Sequence, residues 1–187
     1  MRAKSAVTAA ALALTVAGCG FGPDPADVPK ERVELASSAG NAPAEEATAP
    51  PDKVLAARES SLDQHRFRVE VVQFARRDRF VNLTFTATVT EGDSALGWQV
   101  NNAFSAVPKQ NADVDGVFLI DVKNAKKHLV AQDSAGGCVC SRITGSLFLK
   151  KGDGAVFSAT FAAPPADVTS MDVHIPNVGT LADVPLG

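Results

Sequence analysis

The chain has 187 residues, with 18 Lys and Arg against 21 Asp and Glu and a formal charge of −3. That near balance provides no polyelectrolyte surface and argues against nucleic acid as a partner. Beyond the first residues, no apolar run approaches the roughly 20 residues of a spanning helix.

Arg2 and Lys4 form a short positive region, and Ala6 to Val16 an apolar run that ends in small residues before a cysteine. This is the pattern of an export signal. The segment Val16-Ala17-Gly18-Cys19 resembles a bacterial lipobox. That resemblance implies residues 1–18 as a lipoprotein signal peptide and a diacylglyceryl group on the thiol of Cys19, which becomes the mature N-terminus. The physics fits, because two acyl chains anchor stably where one anchors only marginally. The alternative is an ordinary secretory signal with a chance cysteine at its end. Either way the rest of the chain is expected on the extracytoplasmic side of the cell membrane, where disulfides persist.

Residues 19–60 read as a lipidated, disordered tether. Residues 20–60 hold six of the eleven prolines, nine alanines and one phenylalanine, with eight acidic and four basic side chains. Such a segment cannot bury enough apolar surface to offset its ordering entropy. A flexible chain of this length reaches about 35 Å. "KVLAARESSLDQ" (53–64) is read as a turn or two of helix at its end.

Residues 61–187 have globular character, with nine of the ten phenylalanines and the only tryptophan, Trp98. That length suits one core and not two. The apolar period is two. "RFVNLTFTATVTE" (79–91) places Val81, Leu83, Phe85, Ala87 and Val89 on one face and asparagine and threonines on the other, a half-buried antiparallel strand. "RFRVEVVQF" (66–74) alternates likewise, and "ARRDR" between them is a hairpin connection. Further strands are predicted at 116–122, 127–133, 141–149, 155–163, 169–175 and 179–185, separated by the turn signals "KNAK", "DSAGG", "KKGDG" and "APPAD". Seven or eight short strands at this spacing argue for an all-β, antiparallel β-sandwich. An up-and-down barrel is the alternative, disfavoured by the irregular connection 92–115. Trp98 in that connection reads as a core anchor.

Several short motifs stand in the last third: Cys138-Val139-Cys140-Ser141 behind small residues, the Lys151-Gly152 turn, Phe161-Ala162-Ala163-Pro164-Pro165, and Ala182-Asp183-Val184-Pro185. Together they resemble the extracytoplasmic domain of actinobacterial cell-envelope lipoproteins over roughly residues 65–187. The resemblance implies an immunoglobulin-like layout. Some relatives carry an additional OmpA-like module that binds peptidoglycan; residues 65–187 do not resemble that module, so peptidoglycan binding is not expected to carry over.

With Cys19 lipidated, Cys138 and Cys140 are the only thiols left, an even number in an oxidising compartment. Residues i and i+2 can bring their Cα atoms into disulfide range, and Gly136 and Gly137 permit a tight approach. A disulfide staple is the leading reading. Two others stay open: a redox switch, and a soft-metal site for copper(I) on the reduced pair. Pairing across "DSAGG" would bring His128 near Arg142 and within a diagonal of Cys140 as a third ligand.

No catalytic constellation stands out, so no enzyme activity and no cofactor are expected. His65, His128 and His174 lack zinc spacing, and His174 reads as a surface histidine. Asp113, Asp115 and Gly116 resemble part of a calcium loop without its twelfth-position acid. Arg76, Arg77 and Arg79 in one turn, and Lys126 and Lys127 beside Lys123 in another, form a candidate patch for anionic wall polymers or headgroups. Two functions from different classes follow. One is a non-enzymatic lipoprotein that binds a protein or cell-wall polymer through loops or an edge strand. The other is a redox-active or copper-handling lipoprotein acting through Cys138 and Cys140.

Overall fold

Alternation of apolar and polar side chains builds the first sheet. The structure, a computed structural model, describes residues 53–92, 95–107 and 112–187. The signal segment, Cys19 and the tether up to residue 52 lie outside the described residues. Within them the fold is all-β. Its strands are β1 (Ala56–Leu62), β2 (His65–Arg77), β3 (Phe80–Glu91), β4 (Trp98–Gln99), β5 (Phe118–Asp121), β6 (Lys126–Leu129), β7 (Phe148–Leu149), β8 (Gly154–Ala162), β9 (Ser170–Ile175) and β10 (Gly179–Pro185).

Two four-stranded antiparallel sheets, ordered β1-β2-β3-β8 and β10-β9-β5-β6, are accompanied by a two-stranded β4-β7 pair. Phe67, Val69 and Val71 of β2, Val81 to Val89 of β3 on alternate positions, and Phe157, Ala159 and Phe161 of β8 face inward and are buried. Leu119, Met171, Val173, Ile175, Leu181 and Val184 meet them from the second sheet in one core. The irregular connection supplies the plug. Trp98, 1% exposed, stacks on Phe67 at 4.4 Å, and Phe104 stands edge-on to Phe67, Phe85, Trp98 and Phe157.

Three expectations need correction. The segment 53–64 is no helix: β1 pairs with β2 from Ala56↔Val71 to Leu62↔His65. A helix this short is marginal on its own, whereas the strand covers an edge of β2 and closes through Asp63 and Gln64, whose φ of 49° and 64° suit a two-residue hairpin turn. The sheet therefore starts at Ala56 and not at residue 61. Second, the expected strand 141–149 is reduced to Phe148–Leu149. Asn101 takes over that backbone: its Nδ2 donates to Gly145 O, and Leu147 N donates to its Oδ1 at 2.8 Å. Third, the described residues form ten strands where seven or eight are expected; β1 and the two-residue β4 have no counterpart among the expected segments.

The sandwich edges are joined. Past β6, Val130 bridges to Phe161 and Ala131 N donates to Thr160 O at 2.8 Å, so the chain steps from the second sheet onto β8 of the first. On the opposite side Arg58 Nη1 donates to Thr180 O at 3.0 Å. There too Gly187 pairs with Phe74 and Arg76 of β2 through backbone bonds of 3.0 and 2.7 Å. Edge pairing of this kind leaves few backbone groups free.

Candidate functional site

The step from β6 onto β8 positions the cysteine pair. Asp133 Oδ1 accepts from Ala135 N and Gly137 N, both at 2.8 Å, and turns the chain back. Gly136 supplies the φ of 83° that this turn needs, and a Cβ on Gly137 would come within 2.9 Å of Asp133 Oδ2. The returning chain lies between two neighbours. Val139 N donates to Ala131 O at 2.8 Å, Val139 O accepts from Thr160 N at 3.0 Å, and Cys140 bridges to Ala159.

Cys138 and Cys140 are joined by a disulfide with Cα atoms 5.3 Å apart, inside the usual range. Both cysteines are half-buried against the core and Val139 is exposed. The bond brackets Val139, whose backbone bonds both to Ala131 of the β6 extension and to Thr160 of β8.

A third group completes this corner. Ile143 N donates to Ala112 O at 2.7 Å and Asp113 bridges to Arg142, which draws the 112–116 connection against the clip. Asp113 is 6% exposed, and a carboxylate oxygen and the two Sγ atoms lie within 4.8 Å of one another. Burial raises the Asp113 pKa above the ordinary carboxylate value, opposed by the backbone N–H of Asp115 and by the Arg142 charge. Nothing in the local sequence of Asp113 announces this neighbour; the contact is long-range.

Other expected ligands are committed elsewhere. Arg142 pairs with Asp113 and not with His128, because β6 has already left its hairpin partner for β8. His128 Nδ1 donates to Ala162 O at 3.0 Å. His65 is buried and donates through Nδ1 to Asp63 O at 2.7 Å. Asp113 and Asp115 act as turn acceptors: Asp115 N donates to Asp113 Oδ1 at 3.2 Å, and Ala106 N to Asp115 Oδ1 at 2.7 Å.

The basic patch is divided among different tasks. Arg76 donates to Pro164 O, Pro165 O and Val168 O at 2.7, 3.2 and 3.3 Å, clamping the β8–β9 connection. Lys123 pairs with Asp167 of the same connection at 2.5 Å. Lys127 Nζ lies 3.6 Å from the Phe118 ring centroid. Arg77, Arg79 and Lys126 are exposed and make no ion pair among the described residues.

Two further surface features were not singled out in the sequence. On the outer face of the second sheet, register aligns Leu129, Phe118, His174 and Thr180 in one row. His174 stacks on Phe118 at 4.3 Å, and burial followed by the Lys127 charge lowers its pKa. The other is the open half of the β8 edge. Ser141 N donates to Ser158 O and Ser158 N to Ser141 Oγ, both at 2.8 Å. Alternate residues of an antiparallel strand turn their backbone groups to one side, so Gly154 and Val156 direct theirs the same way, where no described residue pairs with them. A groove of about 370 Å³ lined by Ser141–Thr144, Ser146, Leu147 and Ala155–Phe157 runs there, with Val156 66% exposed.

No protein-family model matches this chain, and no curated protein or solved structure matches it either.

Proposed function

We propose that this chain is a non-enzymatic lipoprotein, anchored to the extracytoplasmic side of the cell membrane through Cys19, whose β-sandwich binds an extended segment of a partner protein along β8. The open edge at Gly154–Val156 carries the reading. Its N–H and C=O groups, unpaired among the described residues, match the recognition of a peptide strand by backbone hydrogen bonding, and the adjoining groove receives alternate side chains. Proteins ordinarily blunt such edges with proline, charge or cover, and the covered half of this strand ends where the groove begins. The strand orders suit an immunoglobulin-like sandwich, with β2-β3-β8 as A-B-E and β10-β9-β5-β6 as G-F-C-C′. The tether sequence between Cys19 and Ala56 suits display away from a membrane surface.

The test is photo-crosslinking in intact cells, with a photoreactive residue at Val156 or at Gln73, which is exposed on β2 of the same sheet. A discrete protein adduct from position 156 and none from position 73 is expected. No adduct at 156, or the same pattern from both positions, overturns the reading. Mass spectrometry of the membrane-recovered chain tests the anchor: an N-terminal Cys19 carrying a diacylglyceryl group is expected, and an intact residue 1–18 segment overturns it.

The convergence of Asp113 on the clip supports a second reading. A pair of cysteines beside a buried carboxylate, which also accepts from Asp115 N within its own turn, suits thiol redox or metal chemistry.

A further inference from the structure

Asp113, Cys138 and Cys140 are the one group of three metal-ligating side chains that converges among the described residues. While the sulfurs are bonded to each other they present no thiolate. We infer that reduction turns this corner into a three-ligand site for a borderline divalent cation of the zinc type, held by the Asp113 carboxylate and the Cys138 and Cys140 thiolates. The inference rests on the second reading above, that the pair undergoes reduction, and adds the ion and the third ligand.

The donor set selects the ion. Two thiolates alone suit copper(I), a soft cation with little use for a carboxylate oxygen. Zinc takes both donors, with bonds of about 2.3 Å to sulfur and about 2.0–2.2 Å to carboxylate oxygen. Ligands sharing a tetrahedral ion at those lengths sit roughly 3.5–3.8 Å apart, close to the present spread of 4.8 Å or less. The sulfurs must separate to reach it. The clip follows two glycines in a turn whose Gly136 has open space around it, so the backbone can follow.

Charge points the same way. Asp113 is buried, yet no lysine or arginine among the described residues forms an ion pair with it. The Arg142 charge acts on it without an ion pair and the Asp115 carboxylate works against its ionisation, so a divalent cation bound directly to the carboxylate would supply a stronger counter-charge. Three anionic donors around a dication leave one net negative charge beside Arg142.

The chemistry balances with a dithiol as co-reactant. Its two sulfurs become joined in a disulfide while the Cys138–Cys140 bond breaks, and two electrons and two protons pass to the cysteines. Zinc binding then forms two Zn–S bonds and releases both thiol protons to water. The oxidised and metal-bound states exclude each other, so bound zinc keeps the pair reduced.

The experiment uses the full chain with Cys19→Ser, so that only two thiols titrate, in oxidised and dithiol-reduced forms. Zinc is titrated against a chromophoric chelator, and cadmium by its thiolate charge-transfer absorbance. One zinc per chain is expected in the reduced form and none in the oxidised form. Asp113→Asn should keep both thiols and the β circular dichroism spectrum yet bind zinc more weakly by about tenfold or more, and Cys138→Ser should abolish binding. Equal zinc uptake by the oxidised form, or unchanged affinity in Asp113→Asn, overturns the inference. Copper(I) binding that ignores Asp113→Asn, without zinc binding, overturns it while leaving the second reading standing. A pair that resists reduction altogether removes both. The absorbance of unsubstituted cysteines with cadmium needs no Asp113 variant, so the result stands even if that variant folds poorly.

Discussion

Trp98 lies on Phe67 with ring centroids 4.4 Å apart and planes inclined by 19°. The contact joins an irregular connection to the middle of the first sheet. With Phe104 packed edge-on at 6.2 Å, Trp98 closes the core where β4 and β7 form only a two-residue pair each. Local pairing therefore contributes little here and side-chain burial must hold the connection. Trp98→Ala should cost about 3–5 kcal/mol, read as a lower urea midpoint with tryptophan-independent circular dichroism. A loss below about 1 kcal/mol would mean that the plug is not part of the cooperative core.

Arg76 offers a sharper contrast, because its neighbour Arg77 has the same chemistry and none of the contacts. The guanidinium reaches three carbonyl oxygens of the β8–β9 connection. Hydrogen bonds to a charged donor contribute about 1.5–3 kcal/mol in protected settings, and less where water competes. Arg76→Ala should destabilise by about 1–3 kcal/mol and Arg77→Ala by less than about 0.5 kcal/mol. Arg76→Lys should recover little, since an ammonium cannot span three acceptors as the planar fork does. Equal unfolding midpoints for the two alanine variants would show the clamp to be energetically idle.

Strand periodicity was legible wherever both faces had distinct partners. The alternation through Phe67, Val69 and Val71, and through Val81 to Val89, located β2 and β3 because one side meets the core and the other meets water. β1 hid because its residues are mostly exposed on both sides; what makes Ala56–Leu62 a strand is the edge of β2, which local composition cannot express. The segment 141–149 misled in the opposite direction. Its backbone bonds in turn to β8, to the Asn101 side chain and to β4 rather than to one sheet partner. For the site, spacing and the preceding glycines revealed the Cys138–Cys140 clip. In the sequence Asp113 stands out only as part of a calcium-like run. Its place beside the sulfurs depends on the Ala112–Ile143 and Asp113–Arg142 pairings, which join segments with no common pattern. The Arg76 cluster read as a surface patch because hairpin arginines usually face water, and the carbonyls it binds lie far along the chain.

The clip closes a very small ring, so its removal should barely affect the unfolded chain. A 15-residue loop is worth roughly 3 kcal/mol in the loop-entropy model, and a ring of this size about 1–2 kcal/mol. The double variant Cys138→Ser, Cys140→Ser should thus remain folded, with a loss in that range by urea denaturation at equilibrium. Hydrogen exchange should rise at the Val139 amide, which bonds to Ala131 O, and not in β2 or β3. Global unfolding of the double variant would mean that the disulfide holds the domain together and does more than steady one turn.

His174 makes stability depend on pH in a predictable direction. Its imidazole stacks on Phe118, its Nδ1 lies 3.0 Å from Thr180 Oγ1, and Lys127 sits across the Phe118 ring. Burial first, and the Lys127 charge second, hold its pKa below the ordinary 6.5. The unfolded chain then takes up a proton at a higher pH than the folded one does. Between those two values the unfolded state binds more protons, so its contribution to stability is present above about 6.5 and lost as pH falls through the folded value. The unfolding midpoint of the wild-type chain should therefore decline, relative to His174→Gln, on acidification between about pH 8 and about pH 5. Lys127→Gln should narrow that difference without removing it, because the larger cause is burial. Parallel midpoint curves for wild type and His174→Gln across this range would show that the ring titrates as it does in water and that the stack leaves its protonation untouched.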